Sequence, residues 1–255
     1  MKVLIFGGTS EGRKLSETLS TAGFDVTLSV ATEFGRNTAE KSGRTQFAPT
    51  TALVGRLNGD DIAGLLTGGN YDCVIDATHP YAVLVTQNIR LACKTAGIKY
   101  YRLKRPESAV IPGITYVPDA VAAAEILSKR EDNVLLTVGS KELEAFTSIE
   151  NYAARFFVRI LPMPDSLQKA LELGFSGSNI ICMQGSFDQE MNIATLKMTG
   201  AKFLVTKDSG DAGGFGEKVF AALSLGCEVI VIKRPIEEEG YSFDEILSII
   251  HRPER

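Results

Sequence analysis

The stretch MKVLIFGGTSEGR, residues 1–13, decides the fold of this chain. Residues 3–6 form an uninterrupted apolar run, which is typical of a strand buried on both faces of a parallel sheet. Gly7 and Gly8 break this run, and an amphipathic segment that ends at Gly23 follows. The stretch therefore predicts a strand, a tight glycine turn and the N-terminus of a helix.

Such a turn directs backbone N–H groups and the positive end of a helix dipole at one spot, which suits the pyrophosphate of a dinucleotide. The pattern matches G-x-G-x-x-G only in part, because Gly7 and Gly12 occupy the outer positions while Thr9 replaces the middle glycine. A sharp strand–helix connection with Thr9 or Ser10 as the helix cap explains the same residues. From the turn alone, both interpretations remain open.

Length and composition limit the class of protein. A chain of 255 residues, 44% of them hydrophobic, has room for one large or two ordinary domains. No apolar stretch reaches the ~18 residues that a membrane span needs, and the start of the chain does not resemble a signal peptide. The net charge of -4 disfavours a general nucleic-acid binder.

The cysteines predict a reducing environment. Cys73, Cys93, Cys182 and Cys227 are scattered singly, without a C-x-x-C pair. We expect reduced core cysteines of a cytoplasmic protein, and neither disulfides nor zinc ligands.

Strand patterns alternate with helical patterns along the whole chain, which predicts an α/β protein with mainly parallel sheets. Strands are predicted at residues 3–6, 26–30, 45–48, 73–77, 98–103, 134–138, 156–161, 179–183, 203–206 and 229–232. Residues 104–113 contain two prolines and a glycine, and they predict a domain boundary. The expected architecture is two Rossmann-like domains, residues 1–106 and 113–255, with an interdomain cleft.

The segment DATHPYA, residues 76–82, follows a predicted strand, at the sheet edge where α/β proteins bind ligands. His79 is one of only two histidines, and an imidazole exchanges protons near neutral pH. Alternatively, Asp76 and His79 cap the next helix, with Pro80 in its first turn.

Two basic clusters suit an acidic ligand. Residues 102–105 contain three cations at the end of a strand, and Arg155 and Arg159 share a strand face with Phe157. A solvated edge explains either cluster equally simply.

A glycine-rich loop follows the strand at residues 203–206. Four glycines fall within residues 210–216, and each adds to the entropy lost on folding. A plain connector seldom needs so many, so we predict that this loop binds a ligand.

Five segments together resemble one family. GGTSEGR, DATHPYA, RILP, QGSFDQEMN and KDSGDAGGFGEK, in this order, are similar to the precorrin-6A reductases of corrin (vitamin B12) biosynthesis, called CobK in the aerobic and CbiJ in the anaerobic pathway. The resemblance spans nearly the whole chain. It implies a two-domain, Rossmann-like reductase that uses NADPH or NADH to reduce one carbon–carbon double bond of a polycarboxylate tetrapyrrole. It implies no metal or flavin.

The resemblance also implies roles for individual residues. Dinucleotide contacts are expected at Gly7, Gly8, Thr9, Ser10, Glu11, Gly12, Arg13, Asp76, Ala77 and Thr78. Substrate contacts are expected at Lys207, Asp208, Ser209, Gly210, Gly213 and Gly214. His79, Tyr81 and Lys207 are the candidates for proton delivery, and they are expected to face one another across the cleft.

The choice of cofactor depends on the end of the second strand. An NAD-specific site often has an acidic residue there, whereas this chain has Ser29 and Val30. Arg13 and Arg36 are suited to a 2′-phosphate, so we expect NADPH, with NADH as the alternative. The expected partner is a tetrapyrrole, with neither nucleic acid nor a membrane involved.

Two rival functions remain. A cofactor-free tetrapyrrole enzyme of the two-domain synthase type has the same cleft but no need of the opening glycine turn. A non-catalytic regulator that senses NAD(P) needs that turn, but it leaves the glycine loop at Lys207 unexplained.

Overall fold

The computed structural model describes residues 1–7, 9–31, 51–55, 57–104, 110–185, 187–210, 213–234 and 240–251. The chain divides into two compact units: unit 1 is Met1–Pro106 with Ile236–Arg255, and unit 2 is Glu107–Pro235. Each unit contains one parallel sheet with helices, which confirms the predicted α/β class. Within the described residues, no helix has both the length and the apolarity to cross a bilayer.

The elements follow in chain order. The first half contains β1 (Lys2–Phe6), α1 (Ser10–Thr21), β2 (Asp25–Val30), β3 (Thr51–Val54), α2 (Gly59–Gly69), β4 (Cys73–Asp76), α3 (Val83–Ala96) and β5 (Lys99–Arg102). The second half contains β6 (Thr115–Val117), α4 (Ala120–Leu127), β7 (Val134–Thr137), a 3₁₀ helix (Ser140–Phe146), α5 (Tyr152–Arg155), β8 (Phe156–Ile160), α6 (Pro164–Glu172), a 3₁₀ turn (Gly177–Asn179), β9 (Ile180–Cys182), α7 (Gln189–Thr199), β10 (Phe203–Lys207), α8 (Phe215–Ser224), β11 (Glu228–Ile232) and α9 (Phe243–Ile250).

The sheet of unit 1 has the strand order β3-β2-β1-β4-β5, which is typical of a Rossmann fold. The order in which successive strands are added to the sheet reverses between β1 and β4, where Phe6 is level with Ser29 of β2 on one side and with Asp76 of β4 on the other. Beyond β5, Leu103 forms a parallel bridge with Tyr241. The crevice at which such sheets bind ligands therefore lies at the carboxyl ends of β1 and β4.

The opening strand is buried on both faces, as predicted. Val3 and Ile5 pack with Leu15 of α1 on one face of the sheet. Leu4 packs with Ile62 of α2 on the other face. Because helices cover both faces, the strand needs no polar alternation, and its continuous apolar run is explained.

The sheet of unit 2 has the order β6-β11-β10-β7-β8-β9. Counted from β7, the strands β9-β8-β7-β10-β11 repeat the order of unit 1, and β6 fills the sixth position. The reversal therefore lies between β7 and β10, where Thr206 is level with Thr137. Every strand pairing among the described residues, in both sheets, is parallel.

The expected second domain, residues 113–255, needs a correction at its C-terminal end. Helix α9 belongs to unit 1, where Ile246 and Ile250 are 0% and 3% exposed and pack in one core with Leu15 and Leu19 of α1. Sequence order alone suggested that the last helix would pack on the sheet that precedes it. Its apolar face is instead complementary to α1.

Three local expectations also need comment. The sequence predicts a helix at residues 60–66, capped near Asn58 and stopped by Gly68 and Gly69. Helix α2 does begin at the capping box of Asn58, but it runs through both glycines and ends at Asn70, whose φ is 48°. The strand predicted at residues 45–48 lies outside the described residues. The cysteine prediction fails at Cys182, which is exposed, while Cys73 is buried in the core.

Candidate functional site

The opening turn fastens helix α1 to the carboxyl ends of two strands. The Gly7 N–H donates to the Ser29 carbonyl at 2.8 Å. Thr9 is the N-cap of α1: its hydroxyl accepts from the Gly12 N–H at 3.0 Å and donates to the Ala77 carbonyl at 2.9 Å. The positive end of α1 is therefore held at the reversal between β1 and β4.

Gly12 is required by close packing of α1. A Cβ at this position would lie 2.9 Å from the Ala77 Cβ, a distance that non-bonded carbon atoms do not tolerate. The third glycine of dinucleotide turns has this same role in helix–strand packing. The partial glycine motif is therefore explained structurally at Gly12.

The described residues of the predicted dinucleotide site lie together. The cap and first turn of α1 are formed by Thr9, Ser10, Glu11, Gly12 and Arg13, and the Thr9 hydroxyl donates directly to the Ala77 carbonyl. Two members of the predicted set, Gly8 and Arg36, lie outside the described residues. The dinucleotide contacts themselves remain a prediction.

Asp76 is fully buried and is surrounded by internal donors. Its Oδ1 accepts from Arg102 Nη1 at 2.8 Å and from the Thr78 hydroxyl at 2.7 Å, and its Oδ2 accepts from the Tyr100 hydroxyl at 3.0 Å. Burial and the nearby Asp76 charge raise the pKa of Tyr100, so its hydroxyl stays a donor. Asp76 therefore orients the end of β4.

The same network accounts for one member of the basic cluster at residues 102–105. Arg102 is only 3% exposed, and its guanidinium also donates to the Asp76 carbonyl. The Arg102 charge is therefore buried inside unit 1. At this position the cluster is not a solvated edge.

His79 and Tyr81 form a small aromatic pair after β4. Their rings stack with centroids 5.4 Å apart, and the Tyr81 N–H donates to His79 Nδ1 at 3.4 Å. With Nδ1 as an acceptor, the proton of a neutral ring lies on Nε2. The arrangement provides an N–H donor on a partly buried ring at the ligand-binding edge of the sheet.

In unit 2, the end of β10 is held by ion pairs. Lys207 Nζ donates to Glu142 Oε1 at 2.8 Å, and Arg234 Nη2 donates to Asp208 Oδ1 at 3.1 Å. Lys207 thus lies in unit 2 and His79 in unit 1. Their expected approach across a cleft remains a prediction.

Ser209 and Gly213 of the glycine loop after β10 contact each other: the Ser209 hydroxyl donates to the Gly213 carbonyl at 3.2 Å. A Cβ on Gly213 would lie 2.3 Å from the Ser209 side chain, so this contact favours glycine at position 213. Gly214, with a φ of 62°, is the N-cap of α8. Lys218, in the first turns of α8, donates to the Ser209 hydroxyl at 3.3 Å.

A pocket opens beside this loop, at the carboxyl ends of β7, β8 and β9. Its lining includes Arg159, Phe187, Gly213, Gly214 and Lys218. Gly213 and Gly214 belong to the predicted substrate set, whereas Arg159 and Lys218 were not assigned a role there. The alternation of residues in its strand already indicated Arg159 as a candidate for binding an acidic ligand. No sequence pattern indicated Lys218, because only folding brings it beside Arg159.

Arg155 does not share this environment. It ends α5, and its guanidinium donates to the carbonyls of Asp132 and Leu127. The two arginines of the predicted basic strand face therefore have different roles. Arg155 donates hydrogen bonds to backbone carbonyls, and Arg159 lines the pocket.

No constellation for a metal was found. Among the residues that the structure describes, no three His, Cys, Asp or Glu side chains are grouped to bind one. Burial raises the pKa of the Cys73 and Cys93 thiols to about 12, so both stay protonated.

The fold and this arrangement define a class: a two-unit α/β protein in which both sheets have the Rossmann strand order and, in unit 1, a capped helix N-terminus lies at the point where that order reverses. The family model "Precorrin-6x reductase CbiJ/CobK" matches residues 2–251. The chain belongs to this family of cobalamin biosynthesis and is an oxidoreductase, as its resemblance predicted.

Named relatives are similar over most of their length. The cobalt-precorrin-6A reductase of Priestia megaterium is 33% identical over 98% of this chain and 96% of its own. That of Methanothermobacter thermautotrophicus is 38% identical over 92% of this chain and 77% of its own. The solved structure "CobK precorrin-6A reductase" matches with a TM-score of 0.72 at 24% identity, over 98% of this chain and 96% of that one, which shows the shared fold.

Proposed function

We propose that this protein reduces one carbon–carbon double bond of cobalt-precorrin-6A to the 6B form, with NADPH as the hydride donor. The observation that carries the proposal is the capped α1 N-terminus at the β1–β4 reversal of a chain in the precorrin-6x reductase family. The relatives that are 33% and 38% identical are named for the cobalt-bearing substrate. They support this form over the metal-free one.

The dinucleotide fits the residues at that turn. The first N–H groups of α1 and its dipole favour a pyrophosphate, and Gly12 brings the helix against β4. Arg13, in the first turn, supplies a cation for a 2′-phosphate, which favours NADPH over NADH. The bound nicotinamide supplies the hydride, while this chain supplies position and charge.

The remaining step is protonation of the carbon next to the one that receives the hydride. His79 is the proposed donor: in its imidazolium form it gives the Nε2 proton to the substrate carbon and becomes a neutral ring. Tyr81 supports it by ring stacking. Lys207 is already paired with Glu142, so its proposed role is to hold substrate carboxylates together with the loop at residues 208–214.

The proposal is tested by mixing the protein with cobalt-precorrin-6A and NADPH under anaerobic conditions and recording both absorption spectra. We expect the macrocycle spectrum to change as NADPH is consumed, and NADH to be the poorer donor. His79→Ala should lower kcat by about 10²–10⁴-fold with little change in KM. His251→Ala is the matched control, since this second histidine ends α9.

Other outcomes distinguish the rivals. A change in the macrocycle without any reduced nucleotide would indicate a cofactor-free enzyme. Nucleotide binding with no conversion of the macrocycle would indicate a sensor. Either result with a folded protein contradicts the proposal.

A further inference from the structure

The pocket of unit 2 opens at the carboxyl edge of its sheet. Its cavity volume is about 180 Å³. The walls come from the carboxyl ends of three neighbouring strands and from the start of α8, beside the reversal between β7 and β10. Ligands of open α/β sheets bind in this position.

Arg159 is positioned in the pocket before any ligand arrives. It is 8% exposed, its Nη1 donates to Asn192 Oδ1 at 3.0 Å, and its guanidinium carbon lies 4.7 Å from the centre of the Phe187 ring. The Asn192 amide is itself fixed, because its nitrogen donates to the carbonyls of Phe187 and Asp188. The contacts among described residues use one of the five guanidinium N–H donors.

Lys218 adds a second cation at an unfavourable place. It lies near the N-terminus of α8, where the helix dipole repels a positive charge. Burial and, to a smaller extent, the charge of Arg159 lower the pKa of its ammonium from 10.5 to about 8, against an opposing effect of Glu217. A helix-stabilising residue would be acidic or neutral here, so the position is costly for the fold.

Within the described part of the chain, neither cation has a carboxylate partner. Among described residues, Lys218 Nζ donates to the neutral Ser209 hydroxyl at 3.3 Å, and Arg159 contacts a neutral amide and an aromatic ring. Buried charges in proteins are normally neutralised by a partner. Two adjacent cations beside a helix N-terminus therefore favour the binding of an anion in this pocket.

We infer that Arg159 and Lys218 form a carboxylate-binding subsite, which takes one acidic side chain of the tetrapyrrole substrate. This inference rests on the proposed function for the identity of the ligand. Arg159 presents a planar fork that matches a carboxylate, Lys218 adds a point charge, and Phe187 covers the guanidinium. The subsite orients the macrocycle by binding one of its carboxylate side chains, and this side chain takes no part in the reduction.

The test compares Arg159→Met and Lys218→Met with Lys197→Met, which removes an exposed cation of α7 in the same unit. In turnover of cobalt-precorrin-6A, we expect KM for the macrocycle to rise at least about tenfold in the first two variants, the effect of one lost charge-assisted hydrogen bond. We expect kcat to change by less than about threefold, because the anchored arm does not react. Lys218→Arg should retain KM.

A second measurement is independent of turnover: the quenching of uroporphyrin fluorescence, since this stable tetrapyrrole is rich in carboxylates. We expect Kd to rise by a similar factor in both Met variants and to be unchanged in Lys197→Met. The affinity of the parent protein should fall as pH rises through about 8, because Lys218, whose charged neighbours are Arg159 and Glu217, loses its proton. Lys218→Arg should not show this fall.

The outcomes are decisive even if Arg159→Met does not fold, because Lys218→Met removes a costly charge and should fold. Unchanged KM and Kd in Lys218→Met would overturn the subsite. A raised KM for the nucleotide with an unchanged KM for the macrocycle would assign the pocket to a phosphate and also overturn it. If the parent protein reduces no macrocycle, the proposed function fails, while uroporphyrin binding still decides the subsite.

Discussion

At the scale of single residues, Lys218 carries its charge in an environment that disfavours it. Its ammonium is partly buried, close to Arg159 and near the positive end of α8. Each of these features disfavours the charged form, and the pKa falls from 10.5 to about 8. A lysine in water is fully protonated at neutral pH, and its charge does not lower the stability of the folded state.

This cost predicts a pH-dependent stability. Between pH 8 and 10.5 the unfolded chain binds more protons at Lys218 than the folded one, so the parent protein gains stability as pH rises. Below pH 8 the penalty is complete. We expect Lys218→Met to be more stable than the parent by about 1–3 kcal/mol at pH 7, with the difference shrinking towards pH 10.5.

Urea denaturation of both proteins across this pH range measures the difference. Lys197→Met is the control, since its side chain is exposed and its removal should not produce the same pH profile. A Lys218→Met variant that is less stable than the parent at pH 7 would contradict the prediction.

At the scale of elements, the fold of unit 1 depends on how closely α1 approaches β4. Thr9 joins the two through the Ala77 carbonyl, and Gly12 has no side chain to separate them. The residues that hold the helix are therefore the same residues that direct its N-terminus at the ligand-binding edge. A side chain at position 12 would disturb the packing of α1 against the end of β4. We expect it to affect ligand binding through this change in packing.

We predict that Gly12→Ala destabilises the protein by about 1–3 kcal/mol, because the new methyl would lie 2.9 Å from the Ala77 Cβ. The control is Gly64→Ala in α2, where a Cβ would meet nothing within 4 Å. That change should stabilise the protein by about 0.5–1 kcal/mol, because alanine favours a helix interior. Thermal unfolding of the two variants separates the effects.

A rescue variant sharpens this test. Gly12→Ala combined with Ala77→Gly removes the opposing methyl and should recover part of the lost stability. If Gly12→Ala leaves both the melting temperature and the affinity for NADPH unchanged, the close approach is not needed and the assignment of the turn is wrong.

At the scale of the whole molecule, each sheet has the Rossmann order from its first strand to its fifth. The sixth position is occupied by Tyr241 beyond β5 in unit 1 and by β6 in unit 2. The C-terminal helix follows Tyr241 and completes the core of unit 1. Unit 1 is therefore not contiguous in sequence, and its stability depends on both ends of the chain.

This dependence predicts a local effect of a distant residue. Ile246→Ala in α9 removes a fully buried side chain from the core around Leu15, and it should cost about 2–5 kcal/mol. We expect faster amide hydrogen exchange in β1, α1 and β2, and unchanged exchange in β7 and β10.

Val121→Ala is the matched control, because Val121 is 59% exposed on α4 of unit 2 and should change stability by less than about 0.5 kcal/mol. If Ile246→Ala accelerates exchange only in the strands of unit 2, the assignment of α9 to unit 1 is wrong.

Local sequence was sufficient for most elements, although β3 (Thr51–Val54) and β6 (Thr115–Val117) were not among the predicted strands. Several features depend only on neighbours within a few residues. They are the apolar run of residues 3–6, the alternation of strands and helices, and helix caps such as Thr9 and Asp188. Family membership also followed from short segments in order. These features were predictable because periodicity, capping and glycine turns are short-range properties of the backbone.

Tertiary structure alone decided the contacts between distant segments. It placed α9 on unit 1, directed Asp76 inward against Arg102, and brought Arg159 and Lys218 into one pocket. A carboxylate that binds a ligand and one that pairs with a buried arginine look alike in sequence, because the partner is chosen by strand order. The sequence determined which helices and strands form, and packing among them determined which charges meet, because burial and distance exist only once the sheets are assembled.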